Sequence, residues 1–69
     1  MTHKLANDHA TWIFEQAGTE IYVTKVQNIY TTPGGRTIKN QVMFNGMKHT
    51  IKEARAFWAL LTSVGAVPA

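Results

Sequence analysis

The side chains able to do covalent or metal chemistry are few and poorly spaced for it. There is one serine, Ser63, no cysteine, and three histidines, His3, His9 and His49. Ser63 has no glycine-flanked elbow around it and falls on the polar face of a predicted helix, so nothing activates it as a nucleophile. His3, Asp8 and His9 are neighbours in the chain, but their spacing and irregular surroundings give no rigid ligand set, so no metal site is read. Asp8, Glu15, Glu20 and Glu53 contain no pair at a spacing that suits general acid–base work, and Glu53 has a capping role in a helix. Gly34-Gly35-Arg36 follows a proline and precedes a strand, which makes it a turn and not a phosphate-binding loop. The expectation is a non-catalytic protein with no metal and no cofactor.

Charge placement says more than charge total. Seven Lys/Arg against four Asp/Glu give a net +3, yet the stretch from Ile21 to Lys52 holds Lys25, Arg36, Lys39, Lys48 and Lys52 without one acid. Tyr22, Tyr30 and Phe44 are interleaved with these cations. Rings beside cations on a sheet are the parts that stack bases and touch phosphates. The pattern predicts nucleic-acid binding through a basic sheet or hairpin face, with Lys25, Arg36, Lys39, Lys48 and Lys52 at phosphates and Tyr22 or Tyr30 stacking if the β-hairpin closes through a two-residue loop. Lys52 and Arg55 oppose the helix macrodipole and would suit a nearby anion. The bland competing reading is that the lysines keep exposed strands soluble while the rings fill the core.

These residues need elements to hold them. Residues 1–9 show neither period 2 nor period 3.6 and read as an N-terminal arm. The run Thr11-Trp12-Ile13-Phe14 within Ala10 to Gln16 suits a half-buried strand, Ala17-Gly18-Thr19 a turn, and Glu20 to Tyr30 a second strand. Thr31-Thr32-Pro33-Gly34-Gly35 reverses the chain, with glycine supplying a positive φ after the proline. A third strand, Arg36 to Phe44, alternates Ile38, Val42 and Phe44 against Thr37, Lys39, Gln41 and Met43.

Two hairpin registers are open. A two-residue loop pairs Ile29 with Ile38 and Val23 with Phe44, leaving Tyr22, Val26 and Tyr30 beside Lys39, Gln41 and Met43. A three-residue loop with Gly35 in a bulge pairs Tyr30 with Ile38 and Val26 with Val42. The one-residue slip exchanges the faces of the second strand. Asn45-Gly46 either closes a hairpin onto a short fourth strand, Met47–His49, or leads into the helix.

The helix is signalled by the capping box Thr50-Ile-Lys-Glu53 and by the stripe Ile51, Ala54, Phe57, Trp58, Leu61 and Val64. Gly65 is placed as its terminator, and Pro68 prevents continuation. The fold class expected is α+β, a three-stranded antiparallel sheet with a fourth strand in question and one C-terminal helix on one face. The domain division is an arm over 1–9 and a single β-β-β-α domain over 10–69. One helix covers one sheet face, so the other face is where a partner is expected.

Composition bounds the rest. At 45% hydrophobic and 16% charged residues the chain is globular and not disordered. Without cysteine, folding rests on apolar packing, which fits a reducing compartment. No apolar run approaches the roughly 20 residues that span a bilayer, and Met1 to Asp8 lacks a signal peptide's apolar centre. A cytoplasmic location with no membrane partner is expected.

The segment from Phe44 to Ala66, with its strand, loop, Glu-Ala-Arg-x-x-Trp-x-x-Leu helix and closing glycine, resembles the ending of small phage and cyanobacterial α+β proteins of unassigned function. It spans a third of the chain. A small phage-type regulator that docks on a larger host protein is one form of protein binding to weigh beside nucleic-acid binding. That gives a second functional reading, protein binding through an apolar patch of Trp12, Tyr22, Val26 and Met43, with a homodimer through the open sheet face or an edge strand as its other form. The β-β-β-α order is also similar to sheet-reading DNA-binding domains of plant ethylene-response factors, from which no residue is carried over.

Overall fold

The computed structural model describes residues 1–69. In chain order it holds β1 (Thr2–Ala6), β2 (Ala10–Ala17), β3 (Glu20–Thr31), β4 (Thr37–Thr50), α1 (Ile51–Ser63) and β5 (Val67–Pro68). The α+β class, the antiparallel sheet and the single helix agree with the sequence. The sheet has five strands where three or four were expected, in the order β4-β3-β2-β1-β5.

The first extra strand replaces the expected N-terminal arm. Asn7 makes the turn: its Oδ1 accepts from the amides of His9 at 2.8 Å and Ala10 at 2.9 Å, the side-chain mimicry that suits asparagine to turns. The hairpin sets Leu5 opposite Trp12, and Leu5 is fully buried. The second extra strand follows the helix. Gly65 takes a φ of 100°, Ala66 N–H donates to Leu61 C=O and Gly65 N–H to Thr62 C=O, the double bond pattern that closes a helix through a left-handed glycine. The chain then lays Val67 and Pro68 along β1. Proline is tolerated there because an outer strand has one side without partners to donate to.

The helix starts as predicted. Thr50 Oγ1 accepts from Glu53 N at 3.1 Å, and Glu53 Oε1 accepts from Thr50 N at 2.9 Å. Its apolar stripe covers one sheet face, where Ala54, Leu61 and Ala66 close over Leu5, Ala10, Trp12, Phe14 and Val23. Phe57 and Trp58 both lean on Phe14, with ring centroids 5.8 and 5.1 Å away. Val64, expected on this stripe, is 67% exposed because it sits at the cap, beyond the last covered turn.

The β3–β4 hairpin takes the three-residue-loop register at its tip and forms neither pair of the two-residue one. At its tip Gly35 N–H donates to Thr32 C=O, Thr32 N–H donates to Arg36 C=O, and the positive φ of 85° falls on Gly35, not on Gly34. This is the three-residue loop, pairing Tyr30 with Ile38 and Val26 with Val42. Nearer the base the register shifts twice, so Lys25 faces Phe44, Val23 faces Met47 and Tyr22 faces Lys48. One shift lies at Asn45-Gly46, which close no hairpin: Gly46 (φ 64°) donates its amide to Thr24 Oγ1, which also bonds Asn45 Oδ1. A fourth strand therefore never separates from the third, and β4 runs 14 residues without a break.

β3 outlasts its inner neighbour. Pairing with β2 stops at Ala10 and Gln27, so the hairpin beyond Asn28 stands clear as a two-stranded arm. The molecule measures 40 × 22 × 17 Å, and its radius of gyration of 12.8 Å exceeds the ~11 Å expected of a compact chain this long.

Candidate nucleic-acid interface

Pleating decides which of the nominated residues can act together. Trp12, Phe14 and Val23 point toward α1, so Ile21, Lys25, Gln27 and Ile29 share their side, while Tyr22, Thr24, Val26, Asn28 and Tyr30 take the open side. The β4 partners follow. Lys25 with Phe44, Gln27 with Gln41 and Ile29 with Lys39 lie on the helix side; Tyr22 with Lys48, Val26 with Val42 and Tyr30 with Ile38 lie on the open side.

The expected single face of tyrosines and cations is therefore not formed. Ile38 and Val42, read from alternation as sharing a side with Phe44, are on the opposite one, because each extra residue in a bulged strand reverses the sides after it. Lys39 and Gln41 cross over with them and leave the tyrosines.

Each cation then has its own setting. Lys48 Nζ sits 3.1 Å from Glu20 Oε2, and this bond followed by the carboxylate's charge holds its ammonium above the usual 10.5. Tyr22 donates its hydroxyl to the same oxygen at 3.3 Å, so Glu20, Tyr22 and Lys48 form a closed polar cluster at the base of the open side. Lys25 lies over the Trp12 ring, its Nζ 5.6 Å from the centroid, at the root of the arm. Lys52 is exposed on the first helical turn. The anion that Lys52 and Arg55 pointed to has a counterpart within the chain, since the Glu53 carboxylate already occupies the helix N-terminus.

Arg36 and Lys39 differ from the rest in position, since both are exposed on the arm. Like Lys25 and Lys52, neither makes an ion pair, Lys48 being the one paired cation of the set. Lys25 lies below them at the root, where β3 is still paired with β2, and the amides of Gln27 and Gln41 lie between. Those two glutamines were not singled out from the sequence, although their place in the acid-free run was a usable signal.

The apolar set also divides. Trp12 is only 7% exposed and faces α1, so it is core and cannot be a recognition anchor; β1, unseen in the sequence, covers the side that would have left it at an edge. Tyr22 and Val26 are half-buried on the open side, and Met43 stands 42% exposed beside the upper register shift. Ile13, Ile38 and Val42 join them there and were missed.

The histidines are packing and surface groups. His3 meets Trp58 edge-on at 6.2 Å, and His49 stacks on Phe57 at 6.0 Å. No three His, Cys, Asp or Glu side chains approach closely enough to hold a metal, and no helix is long and apolar enough to cross a membrane. A recess of about 250 Å³ beneath the helix is lined by His3, Phe14, Ile21, Ala54, Arg55 and Trp58. It holds none of the nominated site residues.

No protein-family model matches the chain, and neither a curated protein sequence nor a solved structure is similar to it.

Proposed function

We propose that the protein is a non-catalytic nucleic-acid-binding module that works through the β3–β4 arm. The observation that carries this reading is that Arg36 and Lys39 have no carboxylate partner and stand on a ribbon projecting beyond the sheet. A two-stranded ribbon fits the major groove of B-DNA, about 12 Å wide. Arg36 at the tip and Lys39 and Lys25 along one side would reach phosphates or guanine edges, and Gln27 and Gln41 between them carry the amide groups that pair with adenine. The tyrosines have no part in this contact, because they occupy the opposite side. Lys48 is tied to Glu20, and Lys52 belongs to the helix.

Fluorescence anisotropy on a labelled duplex, repeated over a salt series, tests the reading. Three phosphate contacts give a log–log salt slope of about −2.7, or roughly a 40-fold loss of affinity for a fourfold rise in salt. The double variant Arg36→Glu, Lys39→Glu should fold and lose this binding, since both side chains are exposed. Absence of binding at low salt, or binding indifferent to salt, rejects the proposal.

A further inference from the structure

We propose that the open side of the sheet is the interface of a homodimer, two copies packing sheet against sheet. Ile13, Tyr22, Val26, Tyr30, Ile38 and Val42 form a band down this side, and no element of the chain covers it. Only 8 of 69 residues are buried, a small core even for a domain of this length, and a second apolar layer would deepen it.

Charge selects a second copy over a charged partner. The open side carries Lys4 and Lys48 against Glu15 and Glu20, a balance of zero, while the whole chain stands at +3. A neutral face with both signs is its own complement under a two-fold axis: Lys48 is matched to Glu20 within each copy, and Lys4 of one copy can meet Glu15 of the other.

The alternative route, edge to edge, is obstructed. β4, though continuous, is distorted by positive φ values at Asn40 (57°) and Gly46 (64°) and by two register shifts, and at the other edge the two-residue strand ending in Pro68 covers Leu5 and Ala6 of β1. Such features keep outer strands from templating a neighbour. The face is what remains.

Sedimentation equilibrium over about 1 to 500 μM reads the assembly. The wild type should sediment at twice 7.7 kDa. Val26→Asp should weaken the dimer by at least about 100-fold, because it buries an unpaired carboxylate in each copy. Leu60→Asp, at a helix position 59% exposed, should leave it unchanged. A second measurement does not depend on the folding of Val26→Asp. The chain has no cysteine, so Thr11→Cys, on the open side, should cross-link two copies through a short bismaleimide, whereas Val64→Cys at the helix end should not. A monomer throughout this range, a dimer indifferent to Val26→Asp in the folded variant, or equal cross-linking at both positions overturns the proposal.

Discussion

Leu5→Ala separates a structural N-terminal strand from a loose arm. Leu5 has no exposed surface, lies opposite Trp12 on one flank and Pro68 on the other, and belongs to the cluster closed by Ala54 and Leu61. Removing its isobutyl group leaves a void that strands paired on both sides cannot readily collapse around, so the loss should be about 3 kcal/mol. At 0.05–0.15 kcal/mol per residue a chain this long has a total stability of roughly 3–10 kcal/mol. The substitution therefore removes between a third and all of it. Urea unfolding followed by tryptophan fluorescence reads the effect; with an m-value of about 1 kcal/mol/M, the midpoint should fall by about 3 M or the protein should be unfolded from the start. Met1→Ala is the control, since Met1 is 80% exposed and its carbonyl, which accepts from the Gln16 amide, is kept. A Leu5→Ala midpoint within about 0.5 M of wild type would refute the placement of β1, because an exposed arm residue changes stability by no more than about 0.5 kcal/mol.

Two further tests address the local devices that shape the chain. The Thr50 backbone amide, followed by the Thr50 side chain, holds the Glu53 carboxyl below its ordinary 4.5. A carboxyl depressed in the folded state adds stability above its unfolded pKa and loses it as the pH falls through the folded one, so the cap should weaken in acid below about pH 4.5. Glu53→Gln should flatten the stability–pH curve in that window, and an unchanged curve would refute the assignment. At the hairpin tip, Gly35→Ala should cost about 1–2 kcal/mol because of its φ of 85° alone, no atom lying within 4 Å of the added methyl. Gly34→Ala, outside the left-handed region and 3.9 Å from Thr32 Oγ1, should be close to neutral; equal effects at the two glycines in thermal unfolding would reject the three-residue loop.

The helix was legible because its signals are local. Thr50 and Glu53 satisfy each other's amides, and the stripe from Ile51 to Leu61 needs only its own period. The strands were less so. β1 has a single strongly buried apolar residue, Leu5, and exists because Asn7 turns it back onto β2; β5 is two residues that become a strand only beside β1. Neither has a pattern of its own. Missing β1 led to the misjudgment of Trp12, whose burial depends on a neighbour that periodicity could not reveal. The division of the candidate residues between two sheet sides has a different cause. The residues of the acid-free run were visible, but the register shifts in β4 decide which side each takes, and a shift depends on the pairing partner and not on the strand's own composition. Only Gly46 announced one.

The adjacency of β1 and β5 bears on the order in which the molecule can be completed. Leu5 pairs with Pro68 across nearly the whole length of the chain, whereas the β1–β2, β2–β3 and β3–β4 hairpins join near neighbours. The meander can zip in sequence from its turns at little entropic cost, but the outer side of the first strand waits for the last. Of these five strands, β1 is synthesised before the others and is the last to be flanked on both sides. A slow final step, the docking of residues 66–68 after the helix, is expected to be rate-limiting for the native sheet.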